Sequence, residues 1–152
     1  MQMTRYSDYS LRTLIYLGLH RHRRCTIREI ADAYGISENH LMKLVHQLGR
    51  EGFVRTTRGK NGGLELARPA REIGVGAVFR AMEGNFHLVE CFKEDGNTCP
   101  IAGPCVLSGV LDEALQAFLE VLDRHTLEDL LAPSQALGRI FAARQEAAIR
   151  LQ

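Results

Sequence analysis

Apolar residues recur every three to four positions through most of this chain, and the breaks in that rhythm mark out its elements. Leu11, Leu14, Ile15 and Gly18 fall on one face and predict a first helix over about 7–20. Asp8 stands in its first turn, where an acid is favourable against the helix dipole. Thr26-Ile27-Arg28-Glu29 then has the spacing of a capping box and opens a short helix bearing Ile27, Ile30, Ala31 and Tyr34. Gly35 stops that helix, Ile36 follows, and Ser37 is placed to cap another. In it Leu41, Leu44, Val45 and Leu48 fall at i, i+3, i+4 and i+7.

Helix, glycine turn and helix make the pattern of a helix-turn-helix, whose second helix enters the major groove of DNA. The outer face of that second helix displays Asn39, Lys43, His46, Gln47 and Arg50, with His40 at its edge, and all of them donate hydrogen bonds. Ser37, Asn39, His40, Lys43 and Gln47 are therefore candidate DNA contacts, although a polar outer face is also ordinary on any amphipathic helix. The next segment favours DNA. Residues 53–58 and 64–66 read as two short strands joined by Gly59-Lys60-Asn61-Gly62-Gly63, a cationic hairpin directly after the recognition helix. Such a hairpin is a wing, and Arg58, Lys60 and Asn61 at its tip suit a flanking phosphate or the minor groove.

Pro69 closes the wing, and Ile73, Val75, Val78, Phe79 and Met82 predict a short helix packed back on the winged domain. Periodicity then fails until about residue 106. Gly84, Gly96, Asn97, Pro100, Gly103 and Pro104 break helices, so Cys91, Cys99 and Cys105, spaced C-x7-C-x5-C, lie on irregular backbone. Three is an awkward number, because a disulfide framework wants an even count and a structural zinc site usually wants four ligands. Cys105 precedes a long helix, where free amides favour a thiolate. Along that helix Leu107, Val110, Leu111, Ala114, Phe118, Val121 and Leu122 read as one continuous stripe, widened by Leu115 and Leu119. The far face carries Asp112, Glu113, Gln116, Glu120 and Asp123. A stripe of that length calls for a cover, and a two-fold partner supplies one. Leu127, Leu130 and Leu131 end this unit. From Pro133 the tail shows an amphipathic run around Ile140 and Phe141 but no chemistry, and Cys25 reads as a packing residue.

Composition narrows the class. With 152 residues, 45% of them hydrophobic, the chain can bury one substantial core but not two. No apolar run approaches a membrane span, and the N-terminus lacks the charged-then-apolar pattern of a signal peptide, so a cytoplasmic location without a membrane partner is expected. In that reducing compartment, metal ligands, redox sensors or plain core residues are better readings of the cysteines than disulfides. The net charge of +1 conceals an asymmetry: residues 1–68 carry twelve Lys/Arg against six Asp/Glu, and the remainder seven against twelve. A basic N-terminal half is what a phosphate backbone selects. No nucleophile–base grouping or phosphate-cradling loop beyond the wing tip points to an enzyme.

Thr4, Asp8-Tyr9, Leu11-Arg12, Ile30-Ala31, Tyr34-Gly35-Ile36-Ser37, Arg58-Gly59-Lys60-Asn61-Gly62-Gly63 and the three-cysteine loop together resemble the winged-helix iron–sulfur repressors that include NsrR, IscR and RirA, over about residues 1–132. Asn39-His40-Leu41-Met42-Lys43, Val89-Glu90-Cys91 and residues 123–130 look most like the NsrR-type branch. IscR-like proteins carry a histidine ligand shortly after the third cysteine, where this chain has Ser108. RirA-like iron sensors have a similarly spaced loop containing Glu-Cys-Phe.

The resemblance implies a mainly α fold with a small β-wing: a winged helix-turn-helix domain over 1–83, a cluster loop over 84–105, a dimerisation helix over 106–131 and a tail over 132–152. It implies an iron–sulfur cluster, [4Fe–4S] with [2Fe–2S] as the alternative, one per subunit, held by Cys91, Cys99 and Cys105 with Asp8 as fourth ligand, contributed in NsrR-like proteins by the partner subunit. The implied function is a homodimeric repressor on palindromic operator DNA that responds to nitric oxide. A RirA-like iron or general redox sensor, and a zinc or thiol regulator using the same cysteines, are the competing expectations.

Overall fold

The computed structural model describes residues 3–93 and 95–150, so the ends of the chain on which the leader and tail expectations partly fall (Met1, Gln2, Leu151, Gln152) lie outside the described residues, as does Glu94. The first helix, α1, runs Arg5–Leu19 rather than from residue 7, because the Thr4 hydroxyl accepts the Ser7 amide and starts the helix earlier. Ser10 and Thr13 are fully buried on α1, and their hydroxyls donate to the carbonyls of Tyr6 and Tyr9 at 2.7 Å, which removes the cost of burying them.

Helix α2 (Ile27–Tyr34) opens on the capping box that Thr26 and Glu29 form, and ends at Gly35, whose φ of 67° lies in the left-handed region where a side chain is strained. Ser37 caps α3 (Glu38–Arg50), which buries Leu41, Leu44, Val45 and Leu48. The antiparallel strands β1 (Val54–Thr57) and β2 (Gly63–Leu66) form the wing. Cys25 adds a bridge to the far edge of β2, exchanging two backbone hydrogen bonds with Leu64 at 2.9 and 2.7 Å. That bridge buries Cys25 completely and pushes its thiol up to about 11, so it is a packing residue held in its neutral form.

Helix α4 (Val75–Met82) packs on α1 and on the long helix α5 (Val106–Asp123). A short helix α6 (Leu127–Leu130) returns to the first domain, and α7 (Ser134–Arg150) follows. Two cores result. The larger joins Leu14, Tyr16, Leu17, Ile30, Leu41, Leu48 and Phe53 to Leu127 and Phe141, so residues far along the chain complete the winged domain. The smaller gathers Phe79, Leu115 and Leu119 with Phe86, Leu88, Phe92 and Phe118.

The single stripe expected on the long helix is in fact two. Leu115 and Leu119, flanked by the half-buried Leu111, Phe118 and Leu122, face α4 and the cysteine loop. Leu107 (61% exposed), Val110 (54%) and Val121 (48%) face solvent, with Ala114 and Ala117 between them. Helical rotation spreads so broad an apolar set over more than one side, and one neighbour covers only one of them.

Candidate DNA interface and cysteine loop

The recognition helix presents Asn39, His40, Lys43, His46 and Arg50 to solvent, because its buried leucines and Val45 turn the opposite face into the core. Ser37 is exposed but its hydroxyl accepts the His40 amide at 3.2 Å, and the Gln47 amide donates to Glu51 at 2.8 Å. Both candidates therefore hold the ends of α3 as well as facing outward.

At the wing, Arg58, Lys60 and Asn61 are exposed on a tight tip closed by Gly62 N–H donating to the Gly59 carbonyl at 2.8 Å. Arg24, which sequence reasoning missed, pins this tip: its guanidinium donates to the Asn61 carbonyl at 3.1 Å and lies 3.6 Å from Glu65, which also faces Arg55 at 3.7 Å. A signal was present in the run Arg21-His22-Arg23-Arg24, although nothing local places Cys25 against β2.

Cys91, Cys99 and Cys105 are all free and half-buried. Cys91 sits on a single 3-10 turn over Glu90–Phe92, a small departure from wholly irregular backbone. The Glu90 carboxylate accepts both the Thr98 amide and the Thr98 hydroxyl at 2.8 Å, so the residues next to Cys91 and Cys99 are tied together across the loop. Those two hydrogen bonds hold the Glu90 carboxyl below the usual range. Cys99 donates its amide to Asn97 at 3.0 Å, and Cys105 occupies the cap position of α5.

The thiols are not gathered: among the described residues, no three His, Cys, Asp or Glu side chains converge closely enough to hold a metal ion. Asp8 is engaged elsewhere, in a two-point pair with Arg12 at 2.9 and 2.7 Å on α1. By chemistry the donor set nonetheless fits an iron–sulfur cluster, which takes thiolates and tolerates a hard oxygen at one iron.

Two contacts link the loop to the reading head. Glu83, the last residue before the loop, accepts hydrogen bonds from the Thr4 amide at 3.3 Å, the Thr4 hydroxyl at 3.1 Å and the buried Ser7 hydroxyl at 2.5 Å. Between Thr4 and Ser7, in the same first turn of α1, the Tyr6 hydroxyl donates to the Lys43 carbonyl on α3 at 3.0 Å. Neither residue carries a sequence motif that announces this role.

A capped helix-turn-helix followed by a pinned, cationic wing defines a winged-helix transcriptional regulator, a DNA-binding protein rather than an enzyme. Known proteins agree. The sequence model of the Rrf2 family, described as iron-dependent transcriptional regulator, matches residues 3–133, and the chain belongs to that family. The HTH-type transcriptional regulator NsrR of Shouchella clausii is 48% identical over 132 residues, 86% of this chain and 89% of that protein. The HTH-type transcriptional regulator NsrR of Geobacillus kaustophilus is 47% identical over 146 residues, 95% of this chain and 99% of that one. Among solved structures, T. potens IscR superposes with a TM-score of 0.69 at 30% identity, over 86% of each chain.

Proposed function

We propose that this regulator is a homodimeric repressor that senses nitric oxide through an iron–sulfur cluster held by Cys91, Cys99 and Cys105, with the partner subunit's Asp8 as fourth ligand. A [4Fe–4S] cluster held there would supply an iron open to a small diatomic ligand, and its reaction with nitric oxide would relieve repression. The observation that carries the reading is the contact chain from the cysteine loop to the recognition helix: Glu83 at the loop's root grips the start of α1, and Tyr6 on α1 grips the Lys43 carbonyl. A change in loop conformation moves Glu83, and with it the helix that carries both Asp8 and Tyr6.

The relatives named NsrR support nitric oxide as the signal. Dimerisation is supported by the solvent-facing residues of α5: Leu107, Val110, Ala114, Ala117 and Val121 are spaced alternately three and four apart, the seam that pairs two helices. Asn39, His40, Lys43 and the outward edge of Gln47 serve base and phosphate contacts in successive major grooves of a palindrome, with Arg58, Lys60 and Asn61 at the flanks.

Native mass spectrometry of the anaerobically purified protein, before and after stoichiometric nitric oxide, tests this. A dimer carrying two [4Fe–4S] masses that convert to nitrosyl adducts, with parallel loss of operator binding, is the expected result. A cluster indifferent to nitric oxide but lost under iron chelation favours the RirA-like iron sensor, [2Fe–2S] masses revise the cluster type, and a colourless protein with stoichiometric zinc sinks the iron–sulfur reading.

A further inference from the structure

The tail beyond residue 133 lies outside the family match, yet α7 is built into the reading head. Phe141, only 7% exposed, meets Tyr16 of α1 and Tyr34 of α2 edge-on, with ring centroids 5.2 Å apart in both cases. Leu137, one turn earlier, packs on the same core. Tyr34 is itself fixed, its hydroxyl donating to the Arg12 carbonyl at 2.9 Å and burial raising it to about 12. The aromatic trio therefore sets the position of α7 relative to the helix-turn-helix.

That position brings a cation to the turn. Arg144 is three residues past Phe141, and its guanidinium lies 4.0 Å from where a Cβ on Gly35 would stand. Gly35 is the turn of the helix-turn-helix, and Ser37, two residues on, caps the end of α3 that enters the groove first. Phosphates flank that end of a recognition helix on any duplex it reads. Arg144 is exposed and, among the described residues, has no carboxylate partner.

We infer that α7 is a working part of the DNA-binding surface: Phe141 docks it against Tyr16 and Tyr34, and Arg144 contacts an operator phosphate beside the start of the recognition helix. The inference rests on the helix-turn-helix docking through α3 in the usual way. A purely structural role for Arg144 is the rival, since a cation beside the C-terminal carbonyls of α2 also favours that helix.

The test uses the full chain, purified anaerobically, and a duplex selected by the wild-type protein from a random pool, with binding followed by fluorescence anisotropy from about 50 to 200 mM salt. One lost phosphate contact lowers the slope of log affinity against log salt by about 0.9, so over that fourfold range Arg144→Gln loses about 3.5-fold less affinity than wild type. Arg144→Lys keeps the slope, and the thermal midpoint of Arg144→Gln matches wild type. Phe141→Ala, where it folds, shows the same reduced slope, and adding Arg144→Gln to it changes nothing more. An unchanged slope in Arg144→Gln overturns the inference, whether or not the midpoint falls. Lys60→Ala serves as the separate check on the winged-helix docking: if it too leaves the slope unchanged, the docking reading itself has failed.

Discussion

Replacing Gly62 by alanine is expected to disable the wing while leaving the fold intact. The new Cβ runs into the Thr57 carbonyl oxygen, and stands 2.8 Å from the Gly59 carbonyl oxygen and 3.1 Å from the Arg58 carbonyl carbon. All three obstacles are backbone, so no rotamer change relieves them. Forcing atoms into such a site costs about 1–3 kcal/mol when the surroundings hold firm. The tip at 58–61 is exposed and contributes nothing to either core, so it yields instead, and the loss of global stability stays below about 1 kcal/mol. In a chain of this size that is a fall in midpoint of about 2–4 °C. DNA binding pays differently. If Arg58 and Lys60 each neutralise one phosphate, displacing both lowers the salt slope by about 1.8, and a fourfold rise in salt then costs the variant about twelvefold less affinity than the parent. Anisotropy titrations across that range, beside a thermal melt, measure both quantities. A Gly62→Ala protein with the parental slope refutes the assignment of the wing tip to phosphate contact; one that unfolds outright refutes the claim that the tip yields alone.

Val110→Glu places a charge on the solvent-facing stripe of α5; if that stripe pairs two subunits as proposed, the loss of a covered valine counts twice, about 3 kcal/mol disappears and the dimer weakens ~100-fold, whereas sedimentation equilibrium that still finds the parental dimer removes α5 from the interface. Tyr6→Phe deletes the hydrogen bond to Lys43, worth about 0.5–1.5 kcal/mol, and should narrow the ratio of cluster-loaded to apo affinity for DNA by about two- to tenfold while iron content stays at the parental level. If the ratio does not change, α1 is not the route between loop and reading head.

The elements with the most to say in sequence were those whose determinants are local. Thr26 with Glu29, Gly35 and Ser37 mark the helix-turn-helix because caps and left-handed turns are made within four residues of where they act. The wing is legible for the same reason. Periodicity reads the α5 stripe as one face because it counts apolar positions without registering that Phe79 and Phe86 cover only half of them. Glu83 and Tyr6 carry no signal in the sequence, and the basic run that holds Arg24 does not say what it touches, because each of the three acts through a contact at least thirty-seven residues away. Phe141 belongs to an amphipathic run legible in the sequence, but its aromatic partners on α1 and α2 are assembled only by the tertiary fold. For Asp8, the carboxylate marked as a cluster ligand is occupied by Arg12, four residues away on its own helix, an interaction that any i,i+4 acid–base pair offers and that the resemblance alone does not foretell.

The chain comes back to the winged domain beside the start of that domain's last helix, α4. Gly74 and Thr126 form an isolated antiparallel bridge, with the Val75 amide donating to the His125 carbonyl at 2.9 Å and the Leu127 amide to the Ile73 carbonyl at 2.8 Å. The cysteines and α5 are an excursion that begins only after α4, whose Val78 and Met82 belong to the head's core, and ends at that bridge. Such a geometry makes the excursion a cassette: a shorter, longer or differently liganded segment between positions 83 and 126 leaves the reading head's own core, Val78, Met82 and Leu127 included, where it was. Cutting the chain after residue 83 does the opposite, because it discards the leucine that closes the head. A family built this way can change what it senses without relearning how to hold DNA.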